Sequence, residues 1–281
     1  MRIFILLLFF LCSSCNELSD FRLGVNKDKQ HRIDKIDRLN QEKDFLLPSP
    51  KLAVAPHYPW DNLFIGKHPK IAIDFFRCHG SANNPIHTEE VSGSYPVVYK
   101  DCGGWEEHGL PLLEGKEFIY PILIELLNYL QARLGKKVVI TCGHRCPAHN
   151  TYSDPSPYNR GSKHMIGAEV DFYVQGLENE AEVVIEALME FYQQNPRYHD
   201  APDYQKFVRY EKDSMNVLTE PWYNKEIFIK LYLEDEGRDW DNRHPFPYIG
   251  VQVRYDRDRE HRVSYTWDQA HNYLKPSGSL N

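Results

Sequence analysis

Two stretches of the chain carry apolar residues at helical spacing. Within residues 117–134, Ile119, Ile122, Ile124, Leu127 and Leu130 recur every two or three positions, and Gly135 follows as a natural helix stop. A second amphipathic run covers 179–194 and is closed by Pro196. Strands are predicted where apolar and β-branched residues cluster, at 137–141 and 170–174. Residues 248–255 and 261–267 read as a hairpin around Asp256-Arg257-Asp258-Arg259, with a last helical turn over 267–274. Residues 74–115 are rich in Gly, Pro, Asn and Cys and predict an irregular segment with short strands, while 151–161 is a proline-containing loop. Residues 197–247 show no period that selects an element beyond short helices. Together these elements predict an α+β domain: a small, mostly antiparallel sheet, helices on one face and a cleft on the other.

The ends of the chain change this picture little. Met1-Arg2 is followed by an apolar run from Ile3 to Leu11 that is too short to span a bilayer and reads as an export signal. Residues 16–50 are polar and charged and end at Pro48-Ser49-Pro50, a tether before a folded domain starting near Lys51. The expected organisation is a signal segment at 1–14, a tether at 15–50 and a folded domain at 51–281. With 42% hydrophobic and 26% charged residues, the chain of 281 residues has enough apolar material for a packed core. A net charge of −7 argues against nucleic acid as a partner.

The export signal bears on the cysteines. An exported chain meets an oxidising compartment, so the four cysteines beyond the signal are expected as disulfides, Cys78–Cys102 and Cys142–Cys146, each bracketing a local loop. The rival is a four-cysteine zinc site, which ranks lower because the chain lacks paired Cys-x-x-Cys knuckles. The signal itself resembles that of a bacterial lipoprotein, with Cys12 where such signals carry Leu. That resemblance implies lipidation of Cys15 and a lipid-anchored protein on the periplasmic side of the envelope.

The chemistry is concentrated in two motifs. His164 and Asp171 lie seven residues apart around Gly167, and Asp171 sits on a predicted strand. A neutral imidazole and a carboxylate are common ligands of a catalytic zinc. Upstream, Thr141-Cys142-Gly143-His144-Arg145-Cys146-Pro147 closes another predicted strand and brings in a guanidinium suited to a terminal carboxylate. His149 reads as a hydrogen-bonding scaffold residue.

The two motifs together resemble the zinc D-Ala-D-Ala carboxypeptidase family, which shares its fold with the hedgehog signalling domain. Members carry Ser-Gly-Tyr-Arg-Ser-Pro with His-Asn, filled here by residues 142–147 with His149-Asn150, then Ser-x-His-x-x-Gly-x-Ala-x-Asp, matched by Ser162, His164, Gly167 and Asp171. The resemblance covers roughly the second half of the chain. It implies zinc on His164 and Asp171, substrate orientation by Arg145 and Ser162, a carboxylate base, and peptidoglycan stem peptides as substrate. A non-catalytic lipoprotein that binds cell-wall peptides or an envelope partner is the alternative.

The third family motif, apolar-His-apolar-Asp, is altered. Its counterpart is Val251-Gln252-Val253-Arg254, with Gln252 where the third zinc ligand belongs. Glu169, two residues before Asp171, stands where a small residue is usual. On a strand the two carboxylates face the same way, so Glu169 either supplies the missing ligand or pairs with Arg254. Asp241-Asn242-Arg243-His244 has the Asp-x-x-His spacing of related zinc peptidases, with Asp241 as base and His244 as ligand. The candidates are therefore Glu169 and Asp241 for catalysis, and Gln252 or His244 for the third ligand.

Overall fold

The computed structural model describes residues 63–104, 109–153, 161–211, 217–234, 236–237, 246–266 and 270. The signal segment, Cys15, the tether, the turn expected over 267–274 apart from Ala270, and the pair Asp241 and His244 lie outside the described residues. The described residues belong to a unit running from Tyr58 to Asn281.

Six strands form one sheet: Val138–Cys142 (β1), Glu169–Val174 (β2), Val208–Arg209 (β3), Trp222–Tyr223 (β4), Ile227–Tyr232 (β5) and Tyr248–Val253 (β6). Their order is β1-β2-β6-β5-β4-β3, and every neighbouring pair is antiparallel. The helices are Pro121–Leu134 (α1), Pro147–Ser153 (α2) and Ala181–Gln194 (α3), with a single turn at Pro202–Gln205. The chain is thus α+β with an antiparallel sheet and a few helices.

Strand alternation sorts the sheet into two faces. Val170, Phe172 and Val174 of β2, Ile227, Ile229 and Leu231 of β5, and Ile249, Val251 and Val253 of β6 join one apolar core with Leu123, Leu126 and Leu130 of α1 and Val184, Leu188 and Phe191 of α3. Burying each such side chain contributes about 1.5–3 kcal/mol. The opposite face presents Glu169, Asp171, Lys230, Gly250 and Gln252, which puts the polar chemistry on a face stiffened from behind.

Three differences from the sequence reading have physical causes. Helix α1 starts at Pro121, because Lys116–Glu117 pairs with Leu112–Leu113 in a short hairpin; its far end is where expected, with Gly135 left-handed at φ 62°. Strand β6 does not fold back on 261–267. It lies between β2 and β5, and only Tyr255–Asp256 pairs with His261–Arg262. The stretch 197–247 holds short helical turns as expected, at Pro196–Tyr198 and Pro202–Gln205, but it also supplies β3, β4 and the central strand β5. Both faces of β5 are buried apart from a half-buried Lys230, so it lacks the polar alternation that announces a half-exposed strand.

Candidate metal centre

The segment from Ser162 to Asp171 explains its own spacing. Ser162 caps a 3₁₀ turn, Lys163–Ile166, its Oγ accepting from the His164 backbone N–H at 3.3 Å. Gly167 then reverses the chain at φ 70°, and a Cβ there would stand 2.7 Å from the Phe118 carbonyl. Two independent requirements therefore exclude a side chain at Gly167. The reversal feeds straight into β2 and brings His164 over Glu169 and Asp171.

The imidazole of His164 is fixed at both ends. Its Nδ1 lies 2.7 Å from the Gly143 carbonyl, which only accepts, so Nδ1 carries the proton and donates. The Nε2 lone pair then faces Asp171 Oδ2 at 3.3 Å and Glu169 Oε1 at 3.7 Å. A second-sphere carbonyl that sets the tautomer is how metal-binding imidazoles are usually oriented. Two carboxylates converging on one lone pair call for a positive charge between them, a proton or a metal ion. Burial lowers the His164 pKa, but Cys142, Glu169 and Asp171 outweigh burial and the opposing Arg145 charge, and the net value is pushed up to about 9.

Cys142 completes this group, and the sequence reading missed it as a site residue. Its Sγ, the His164 ring and an Asp171 oxygen lie within 4.8 Å of one another. The cause is a β-bulge: Ile140 pairs with Phe172, but Cys142 rather than Thr141 stands opposite Asp171. The extra residue re-aims the strand end and delivers the sulfur to the polar face. Arg145 Nε donates to Cys142 Sγ at 2.9 Å. Burial raises the Cys142 pKa, but the Arg145 and His164 charges prevail and bring it down to about 7.

The structure brings His164, Asp171 and Arg145 together, as the motifs predict. Arg145 is only 2% exposed, with Nη2 3.7 Å from Asp171 Oδ2. In this conformation its guanidinium braces Cys142 and Asp171, and Ser162 caps a turn. Gln252 sits opposite Glu169 in the β2–β6 register and donates Nε2–H to Glu169 Oε1 at 2.7 Å. Through this bond the Gln252 amide braces Glu169. Arg254 does not pair with Glu169; it donates to the Asn224 carbonyl and lies 4.4 Å over the Tyr223 ring. Gly250, paired with Asp171 across the strands, makes room for that carboxylate: a Cβ there would lie 2.9 Å from Asp171 Oδ1.

The expected Cys142–Cys146 disulfide is corrected by this geometry. None of the four described cysteines is disulfide-bonded; Cys142 belongs to the His164–Asp171 group, whereas Cys146 groups with Cys78 and Cys102. The bulge turns Cys142 towards the polar face, while Cys146 lies just ahead of α2. Cys78 and Cys102, the other expected pair, are neighbours at 3.7 Å but not bonded.

Beside the sheet site lies an open cleft of about 590 Å³, lined by Gln252, Tyr265, Lys163, Lys230, Arg254 and Arg262 among others. Four cations line this cleft in a chain of net charge −7, so it attracts anions locally. Lys163 donates to the Val253 carbonyl at 2.5 Å, and burial, the largest influence on it, lowers its pKa to about 8. The described residues thus include Cys/His/Asp groups able to hold a metal ion, one of them a single side chain away from a cationic cleft. No helix among the described residues is long and apolar enough to cross a membrane. No family model matches the chain, and no curated protein or solved structure matches it either.

Proposed function

We propose that this chain is a metal-dependent peptidase of the D-Ala-D-Ala carboxypeptidase type, with a hedgehog-like arrangement of its sheet, acting on cell-wall stem peptides from a lipid-anchored position at the periplasmic face of the envelope. The observation that carries the reading is the His164 imidazole, anchored at Nδ1 by Gly143 and facing Asp171 and Glu169 with Nε2. His164 and Asp171 would hold the ion. Cys142, within 4.8 Å of both, supplies the third ligand in place of the histidine replaced by Gln252. Such a donor set suits zinc, which binds thiolate, imidazole and carboxylate together. A bound zinc supplies a Lewis acid and an acidified water for amide hydrolysis.

The chain's own residues divide the remaining work. Glu169, steadied by the Gln252 amide, is the carboxylate that takes a proton from the attacking water and returns it to the leaving amine. Lys230, Arg254 and Arg262 in the cleft bind the substrate's carboxylates. Arg145 holds Cys142 and Asp171 at their spacing, which moves the substrate clamp from Arg145 to the cleft cations.

The test is hydrolysis of a muropeptide by the full chain with and without added zinc. Release of D-Ala should require the metal and fall by about 10³-fold or more in Asp171→Asn, the scale of several kcal/mol of transition-state stabilisation. A second reading is favoured by Gln252 and by the guanidinium beside Asp171, which disfavours a dication: a non-catalytic protein that binds stem peptides in the same cleft. Saturable muropeptide binding with no released product, in zinc-loaded protein, would select it and reject the peptidase.

A further inference from the structure

A second group of donor atoms lies outside the sheet. We propose that Cys78, Cys102 and Cys146 form a three-thiolate structural metal site for a thiophilic divalent cation of the zinc type, which ties the irregular segment before α1 to helix α2. The three sulfurs lie within 4.8 Å of one another. Cys78 and Cys102 are 3.7 Å apart at Sγ. A disulfide requires about 2.05 Å, whereas two thiolates at about 2.3 Å from a tetrahedral ion are separated by roughly 3.8 Å. The count agrees with the distance. Three sulfurs in one pocket cannot all pair as disulfides, but they can all ligate one ion.

His149 packs beside the sulfurs. Cys146 immediately precedes α2, His149 lies in its first turn, and the His149 backbone N–H donates to Cys146 Sγ at 3.3 Å. His149 Nδ1 is held by Asp101 Oδ1 at 2.7 Å, which joins α2 to the segment that carries Cys102. Asp101 is itself fixed by the Ser81 and Cys102 backbone N–H groups and by Asn84 Nδ2, each at 2.7 Å. Asp101, Cys102 and His149 form an overlapping group within 4.8 Å. Gly80 shows how closely the parts are gathered: a Cβ there would lie 2.3 Å from Cys102 Sγ and 2.8 Å from His149 Nδ1.

The surroundings explain why such a cross-link is useful. The described residues from 63 to 119 contain only strands of two or three residues and one 3₁₀ turn, too little regular structure to hold a fixed shape by backbone pairing. Segments of that kind gain most of their order from a metal or a covalent bridge. Cys146 directly follows Arg145, so an ion at this site also holds the strand end that carries the guanidinium.

The proposal is independent of the peptidase reading, and its test keeps the two apart. In the full chain carrying Asp171→Asn with Cys142→Ser, the sheet site has lost two of its ligands. Cobalt added to that variant should bind at one equivalent and give the intense near-ultraviolet absorption of thiolate-to-cobalt charge transfer. Cys102→Ser in the same background should abolish both the absorption and the bound equivalent, and lower Tm by about 5–10 °C. If Cys102→Ser does not fold, the Asp171→Asn, Cys142→Ser chain itself still decides. A chelator should then make three thiols reactive together, and zinc should protect them. A Cys78–Cys102 disulfide in protein purified without reductant, or cobalt bound without sulfur absorption, would overturn the proposal.

Discussion

The sheet site and the sulfur cluster meet at adjacent residues, Arg145 and Cys146, yet they are built in opposite ways. At the sheet site, Glu169, Asp171 and Gln252 stand on paired strands whose register is set by the buried apolar face behind them. His164 hangs from a capped turn and a carbonyl. The sulfur cluster draws on Cys78, Cys102 and the start of α2, segments remote in sequence and joined there by side chains. A site on a packed sheet keeps its shape without an ion, because the strands are held by burial. A site assembled from loops depends on whatever binds its side chains together. Metal removal should therefore loosen residues 78–104 far more than β2, which hydrogen exchange resolves segment by segment.

The sharpest way to test the sheet side is Arg145→Met. It leaves the Asp171 carboxylate buried without its guanidinium, which should cost about 3–5 kcal/mol in urea denaturation of metal-free protein. Saturating zinc should narrow the gap, since the ion then supplies the missing charge. Gly80→Ala probes the sulfur side. Its methyl group would lie 2.3 Å from Cys102 Sγ, so the upper part of the overpacking range, about 2–3 kcal/mol, is expected, with β2 exchange unchanged. Gly250→Ala is the matched change on the sheet, where the obstacle is Asp171 Oδ1 at 2.9 Å. A loss of about 1–2 kcal/mol is expected, together with weakened metal binding at His164 and intact binding at the cysteines. Equal losses from the two alanines would remove the distinction between rigid and loop-built sites.

The smallest effect is a control on the core side. Burial raises the Glu226 carboxyl above its ordinary 4.5, with the Tyr198 hydroxyl and Arg257 pulling it partly back. A raised carboxyl pKa favours the folded state at low pH, and that contribution is lost as pH rises through the raised value. Glu226→Gln should match or exceed wild-type stability at pH 7 by less than about 1 kcal/mol. The advantage should vanish below pH 4.5, as read from denaturation midpoints across that range. Neither metal site should respond.

Much of this was readable from local pattern. The 3.6-residue period marked α1 and α3, and Gly135 marked where α1 stops. The His164–Gly167–Asp171 spacing was legible because a cap, a left-handed glycine and a strand follow one another without a long-range partner. Such features depend on contacts a few residues apart, so the chain order alone specifies them.

What the tertiary structure decided depends on which distant residues meet. Cys142 joins His164 only because a bulge shifts β1 by one residue against β2, and no local pattern records a bulge. Gln252 became a brace for Glu169 through the register of β6 on β2. Cys78, Cys102 and Cys146 converge from three separate segments, so spacing suggested pairs where the fold makes a triad. The amino-acid sequence by itself determined the helices, the polar strand positions and the imidazole–carboxylate pair, because neighbours along the chain set them. Only packing decided which sulfur serves which site, because that choice is made by strand register and loop closure across more than twenty residues.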